Sequence, residues 1–326
     1  MSNTNKNLNQ ALKAKKDEFF TQLDDIEKEL IHYKKYFNEK IVYCNCDDPA
    51  TSNFVRYFLH NFDKLGLKKL IATCYTNPYS DNAGKGMYME YTGNQNVHTF
   101  LHDIEKRGIK YLKGNGDFRS DECIEILKTA DIVATNPPFS LFREYITQLI
   151  ELNKKFIVLG HQNAITYKEI FLYIKENKLW LGIHNGGTKW FEVPEDYDIV
   201  TKSRKKKIDG KKFFSMGSIM WYTNLDTQKR HKDLKLHKKY TPESYPEYDN
   251  YNAIEVSRYT DIPKDYKGVM GVPVTFLDKY NPEQFEIVGS NRGVGQDPDG
   301  IYGRGSYING KETFKRLFII NKKPVK

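Results

Sequence analysis

The sequence predicts an α/β protein, a doubly wound sheet followed by a mostly β and irregular region, and three observations carry that expectation. Short apolar segments alternate with segments of helical periodicity over the first 185 residues, the pattern of strand-helix-strand units with parallel pairing. One of those segments, Ile132-Val-Ala134, runs into Asn136-Pro-Pro-Phe139, where two prolines forbid continuation of a strand or a helix. Beyond Asp226 helical periodicity fades while Pro, Gly, Tyr and Asp become frequent. A division into residues 1–225 and 226–326 follows.

In chain order, Leu23, Ile26, Leu30, Tyr33 and Phe37 recur at spacings of three and four and predict a helix, with Thr21 as N-cap and Asp24 and Asp25 in its first turn. Ile41 to Asn45 reads as a strand that ends in Cys46-Asp-Asp-Pro49. A helix starting near Thr51 or Ser52 buries Phe54, Phe58, Leu59 and Phe62. Lys69 to Tyr75 is the next strand, and Thr76 to His98 an excursion with a small hairpin around Met87 to Tyr91. Ile109 to Lys113 is a strand reaching Gly114-Asn-Gly-Asp-Phe118, and Ser120 to Lys128 a helix. After the Ile132 strand come a helix from Leu141 to Leu152, a strand from Phe156 to Gly160, a helix from Thr166 to Asn177 and a strand from Leu179 to His184. Trp190 to Val193 and Phe213 to Asn224 read as strands flanking a basic stretch, Lys202 to Lys212, with a turn at Asp209-Gly210. In the final region Gly268 to Leu277 and Phe314 to Ile320 are the best strands.

The 326 residues carry a net charge of +9. From Val200 to Tyr240 there are 13 Lys or Arg against 3 Asp or Glu, so this segment alone holds +10 and the remainder is close to neutral. Charge concentrated in this way points to a polyanion, although a solvated basic face has the same composition. No run of 18 apolar residues exists and Met1 to Gln10 is polar, which predicts a soluble, cytoplasmic protein. Cys44, Cys46, Cys74 and Cys123 lie within or beside apolar stretches without metal-ligand spacing, and are expected to be reduced and buried.

The loop Asn136 to Phe139 sits where ligands of open α/β sheets collect. It is also an ordinary turn composition, but its groups suit one chemistry. An exocyclic amine of a nucleobase is a poor nucleophile because its lone pair is delocalised into the ring. Two fixed acceptors that hold both amine hydrogens localise that pair. The Asn136 side-chain oxygen and the Pro137 carbonyl are such acceptors, Pro138 fixes the turn, and Phe139 offers a face for a base to stack on. The matching electrophile is the methyl sulfonium of S-adenosylmethionine, with positioning as the source of rate and no metal involved. Asp47 and Asp48 stand at the end of the first strand, where a carboxylate meets a cofactor ammonium. Asp117 and the Phe118 N–H stand at the end of another, suited to an adenine edge.

Asp17-Glu-Phe-Phe-Thr-Gln22, Val42-Tyr-Cys-Asn-Cys-Asp-Asp-Pro49, Gly116-Asp-Phe-Arg-Ser120 and Thr135-Asn-Pro-Pro-Phe-Ser-Leu-Phe-Arg-Glu144 resemble the EcoRI-type family of adenine-specific DNA methyltransferases. The likeness continues through Thr166-Tyr-Lys-Glu169, Leu179-Trp-Leu-Gly182, Trp221-Tyr-Thr-Asn-Leu225 and Gly268-Val-Met-Gly-Val-Pro273. It implies a class I (Rossmann-like) methyltransferase sheet, with cofactor segments before the catalytic loop and a target-recognition region after it. By that resemblance Phe19, Phe20 and Thr21 enclose the methionine end of the cofactor, Asp48 and Pro49 lie near its ammonium, Asp117 and Phe118 hold its adenine, and Asn136 borders cofactor and substrate.

Two departures from the wider methyltransferase pattern stand out. The first strand lacks the usual glycine pair, and the second ends in Thr73-Cys-Tyr75 without a ribose-binding acid, which leaves backbone groups and Tyr75 for that contact. The resemblance further implies an adenine flipped out of the duplex, stacked on Phe139 and on Trp190 or Phe191. Lys202, Arg204, Lys205, Lys206, Lys207, Lys211 and Lys212 are the expected DNA contacts, fixing register on the phosphates. Sequence readout falls to residues after Asp226, with Arg230, Asn291, Arg292 and Arg304 of the right type. A GAATTC-like site and a single chain as the working form complete the expectation. Methylation of RNA or of a protein glutamine, and a DNA-binding protein without catalysis, are the alternatives. The basic C-terminal region disfavours the first and the intact Asn136-Pro137 the second.

Overall fold

A computed structural model describes residues 20–76, 84–193, 204–215, 217, 219–292 and 303–325. Phe19 and Lys202 lie outside these residues, and of Phe20 only the backbone is described. The chain divides into two compact units, residues 1–162 with 184–225, and residues 163–183 with 226–326.

In the first unit the strands are β1 (Phe20–Thr21), β2 (Ile41–Cys44), β3 (Lys69–Cys74), β4 (Met87–Tyr91), β5 (Lys110–Tyr111), β6 (Ile132–Thr135), β7 (Lys155–His161), β8 (Phe191–Val193), β9 (Lys205–Ile208), β10 (Lys211–Phe214) and β11 (Ile219–Thr223). The large sheet runs β5-β4-β3-β2-β6-β7-β11 across this unit. Its centre is parallel, β3 on β2, β2 on β6 and β6 on β7. On one flank β4 runs antiparallel to both β3 and β5, and on the other β11 runs antiparallel to β7. A second sheet, in the order β1-β8-β10-β9, is antiparallel throughout.

The helices of eight or more residues among the described residues of this unit are α1 (Leu23–Leu30), α2 (Asn53–His60), α3 (Val97–Arg107), α4 (Asp121–Thr129) and α5 (Phe142–Glu151). Their stops and starts follow from local chemistry. Ser52 and Ser120 cap α2 and α4 by accepting the N–H of Phe54 and of Cys123. Of the apolar positions expected for the first helix, Ile26, Leu30, Tyr33 and Phe37 are buried at 0% exposure and Leu23 is partly buried against the same core, but the last turns from Ile31 to Tyr36 tighten into a 3-10 helix. Gln22 occupies the N-cap in place of Thr21, because Thr21 is committed to the strand pairing with Phe191. The helices α1, α2 and α3 and the sheet enclose a core that runs from Ile26 to Leu225 and includes Phe54, Phe58, Phe139, Phe191 and Trp221.

Three expectations are corrected here. Met87–Tyr91 is one strand inserted between β3 and β5, pairing antiparallel with each, and not a hairpin closed on itself. Residues 97–107, which begin at the end of the expected Thr76 to His98 excursion, form α3, whose Val97, Phe100, Leu101 and Ile104 pack against the core behind an Asn96 cap. Phe213 to Asn224 is not continuous. Its first part belongs to β10 and its second to β11, in different sheets, and the basic stretch itself supplies β9 and the first half of β10.

The second unit holds the helix α6 (Lys168–Lys175) and the strands β12 (Ile254–Glu255), β13 (Met270–Pro273), β14 (Phe285–Ser290) and β15 (Arg316–Asn321). They form a sheet in the order β12-β13-β15-β14. Its interior holds a buried ion pair, the Arg316 guanidinium on Glu255 at 2.6 Å, to which Tyr248 adds a hydroxyl donor. No helix among the described residues is long and apolar enough to cross a membrane.

Candidate functional site

Parallel pairing brings the C-terminal ends of β3, β2 and β6 to one edge of the sheet. Tyr75, Asn45 to Pro49 and Asn136 to Phe139 lie on the segments leaving those ends. The loop Gly114 to Phe118 is tied to the same edge by backbone bonds. Thr76 N–H donates to Asn115 O at 2.8 Å, and Gly86 N–H to Gly114 O at 2.9 Å. Gly116, at φ +79°, passes so close to β3 that a Cβ on it would stand 2.2 Å from the Cys74 carbonyl oxygen, so no side chain fits there.

The two acids after β2 have different tasks. Asp48 turns outward, and its Oδ1 accepts the N–H of Ala50 at 2.7 Å and of Thr51 at 3.2 Å, building the turn into α2. Asp47 turns inward and is 6% exposed. Its Oδ1 accepts the Ser52 hydroxyl at 2.6 Å, its Oδ2 accepts the Thr135 hydroxyl, and it also receives the backbone N–H of Asn136. Burial pushes its pKa up to about 6 despite those three donors, with Asp48 adding repulsion. Thr135 Oγ1 in turn accepts the Cys46 N–H at 3.2 Å, and Asp47 N–H donates to Thr73 O at 3.0 Å.

The loop after β6 is held at both ends. Asp131 fixes the start of the strand, its Oδ2 accepting Ile41 N–H at 2.8 Å. Pro138, extended, gives its carbonyl to Leu141 N–H at 3.0 Å, and a single 3-10 turn leads into α5. Asn136 Oδ1 is buried. Phe139 is 5% exposed and meets Phe191 edge-on, centroids 6.3 Å apart, while Phe191 itself is wholly buried. Below the Gly114 loop, Phe118 packs edge-on against Tyr145 at 5.1 Å, and Tyr145 donates its hydroxyl to Asn45. Gln148 Nε2 donates to Phe118 O at 3.2 Å.

Asp117 is forked by Arg119, whose Nε reaches Oδ1 at 2.9 Å and Nη2 reaches Oδ2 at 2.7 Å. That guanidinium holds the Asp117 carboxyl below the usual carboxylate range. Arg119 is a member of the site that the sequence pattern did not single out, since Arg after Asp-Phe has no periodicity or motif of its own. Thr135 and Ser52 are two more, each a small hydroxyl residue whose role depends on Asp47.

The group near the N-terminus gathers separately. Asn53 Nδ2 donates to Thr21 O at 2.7 Å, and Thr21 Oγ1 is buried without a hydrogen-bond partner among the described residues. Trp190 is half-buried and lies beneath the Lys206 ammonium at 4.3 Å from its ring centre. It lines an open cleft of about 860 Å³ with Asn53, Arg56, Lys206, Lys211 and Phe213.

The basic hairpin β9–β10 closes through Asp209 and Gly210, both at positive φ, 48° and 79°, the geometry of a type I′ turn. Its register pairs Lys207 with Lys212 and Lys205 with Phe214, and on the opposite face Lys206 with Phe213 and Ile208 with Lys211. Lys211 also reaches Glu192 at 3.0 Å. Arg204 precedes β9, and its backbone oxygen accepts Ser215 N–H at 3.0 Å. Of the readout candidates, Arg230 packs its guanidinium on Trp180 at 3.9 Å, Asn291 is fully buried with its amide on Ser306, and Arg292 pairs with Glu312 at 2.8 Å. Cys44, Cys74 and Cys123 are buried, Cys46 is half-buried, and all four are free thiols.

A family described as "Adenine-specific methyltransferase EcoRI" matches residues 7–323. The Type II methyltransferase M.EcoRI of Escherichia coli is 50% identical over 328 residues, covering 98% of this chain and 98% of the relative. The Type II methyltransferase M.MgeORF184P of Mycoplasma genitalium is 43% identical over 86% of this chain and 84% of its own length. The Type II methyltransferase M.MpnI of Mycoplasma pneumoniae is 40% identical over the same shares, 86% and 84%. No solved structure matches the chain significantly.

Proposed function

The chain belongs to the EcoRI family of adenine-specific methyltransferases, and from that premise we propose that it methylates the exocyclic amine of an adenine flipped out of duplex DNA, at a specific sequence. The observation that carries the reading is the convergence, at one sheet edge, of the Asn136-Pro137 acceptors with the acidic turn after β2 and the Gly114 to Phe118 loop. S-adenosylmethionine supplies the electrophilic methyl group. Its fit to these residues is supported by the buried Thr21 hydroxyl, left without a partner among the described residues, and by Asp48 at the end of the first strand. Asp117 would share its carboxylate between Arg119 and an adenine amine, and the Phe118 N–H would meet the ring. Tyr75, at the end of β3, would face the ribose.

In the reaction Asn136 Oδ1 and the Pro137 carbonyl accept the two amine hydrogens of the target base. The amine lone pair would thereby be turned from the ring toward the methyl carbon, the N–C bond forming as the methyl–sulfur bond breaks with its electron pair kept by sulfur, and one amine proton would then pass to solvent. Phe139 stacks on the base, braced edge-on by Phe191, and Trp190 offers a second aromatic surface. Lys205, Lys207, Lys212 and Arg204 contact phosphates, and the second unit, around residues 226–326, reads the sequence. A class I sheet, a GAATTC-like target and a single working chain belong to this proposal.

The test is transfer of radiolabelled methyl to duplex DNA followed by nucleoside analysis. Label in N6-methyladenine of DNA is expected, and label confined to RNA or protein would overturn the reading.

A further inference from the structure

We propose that Asp47 is a positioning residue for methyl transfer, its ionised carboxylate holding Thr135 and the Asn136 backbone so that the Asn136 side chain meets the target amine. The inference rests on the reading of Asn136 given above.

Three features of the geometry carry it. Asp47 and Asp48 are adjacent, yet only Asp47 faces the loop after β6, and it does so from within the core at 6% exposure. Its partners join separate elements: Ser52 at the cap of α2, Thr135 at the end of β6, the Asn136 backbone, and Thr73 of β3 through the Asp47 amide. All three groups that reach its carboxylate are donors in this arrangement. A carboxylate accepts from all of them, whereas a protonated acid or a carboxamide must itself donate from one oxygen or nitrogen. The hydroxyls of Ser52 and Thr135 can turn around, but a backbone N–H has no acceptor to offer. Loss of the charge turns the bond from the Asn136 N–H from a charge-assisted one into a weaker neutral one, and a displacement of about 1 Å of the loop it holds can cost roughly 10²-fold in rate.

The titratable groups facing this carboxylate are Asp48 and Cys46 on its own loop, Cys44 on β2 and Tyr145 on α5. Burial pushes the Cys44 thiol and the Tyr145 phenol upward, so neither changes charge on the acid side of neutrality. Protonation of Asp47 near pH 6 should accordingly set an acid limb on the transfer step.

Single-turnover methyl transfer to duplex DNA tests this with the full-length enzyme, alongside equilibrium DNA binding and cofactor titration. Asp47→Asn is expected to slow transfer by roughly 10²-fold, to change DNA and S-adenosylmethionine affinity little, and to lose the acid limb. Thr135→Val should slow transfer while Thr135→Ser restores it, which keeps the inference testable if Asp47→Asn folds poorly. Asn136→Ala serves as the reference. If Asn136→Ala is inactive but Asp47→Asn, or Thr135→Val, transfers at the wild-type rate with an unchanged pH profile, the positioning role is overturned alone. If Asn136→Ala itself transfers normally, the reading of the loop fails first.

Discussion

The hairpin β9–β10 makes a prediction that separates its two faces. Lys205, Lys207 and Lys212 lie on one face, while Lys206 is seated over Trp190 at 4.3 Å and Lys211 is paired with Glu192 at 3.0 Å on the other. If the first face contacts phosphates, each lysine contributes about 0.9 to the slope of log K against log salt, so replacing all three by Gln should lower that slope by roughly 2.7. Between about 50 and about 200 mM salt the wild type should then lose roughly 40-fold more affinity than the variant. The Lys206→Gln, Lys211→Gln double variant should change the slope by less than about 1, because one charge is held on a ring and the other is compensated by Glu192. Fluorescence anisotropy of a labelled duplex over a salt series measures both. A triple variant with the wild-type slope, or a double variant that loses as much as the triple, would refute the assignment of faces.

Three further outcomes are expected. Asn136→Ala should reduce turnover by roughly 10²-fold or more while leaving duplex binding in place, as read by methyl transfer and anisotropy on the same preparation. Ser52→Ala removes both the cap on Phe54 N–H at 3.1 Å and a donor to Asp47 at 2.6 Å. Stability should drop by about 1–2 kcal/mol in urea denaturation. The Asp47 carboxyl lies at about 6 in the folded protein against an ordinary 3.8, so folding favours its protonated form. Its contribution to stability is present below pH 3.8 and is lost as pH rises through about 6. The denaturation free energy of the wild type relative to Asp47→Asn should therefore fall by about 3 kcal/mol over that range, and a difference independent of pH would contradict the burial of this acid.

Much of the fold was legible because the central strands are short apolar runs with breakers at their ends. Ile132 to Thr135 followed by two prolines reads unambiguously, and Ser52 and Ser120 announce their helices by chemistry that is local to the chain. Residues 97–107 were legible in principle, since Val97, Phe100, Leu101 and Ile104 have helical spacing, but the Gly- and Asn-rich surroundings masked it. Met87–Tyr91 could not be assigned from its own residues, because what makes it a strand is the pairing with Lys69–Cys74 and Lys110–Tyr111. The same limit applies to Phe285–Ser290, whose partner lies at Arg316–Asn321 across a long separation in sequence.

At the site, sequence marks the loop residues and a pair of acids but not which acid faces inward. That division depends on Thr135 and Ser52 arriving from elsewhere in the chain. Likewise Phe139 and Phe191 read as two aromatic surfaces, and only the packing makes one the brace of the other.

The Asp209-Gly210 turn has a thermodynamic consequence of its own. Because both residues adopt positive φ and the strands beside them are fully registered, the hairpin is built before any ligand arrives. Its lysines need no coupled folding to meet a polyanion, so their contribution to complex formation should lack the large heat-capacity change that accompanies ordering of a basic tail. Lengthening the turn with flexible residues would convert a preorganised clamp into such a tail, trading intrinsic affinity for reach.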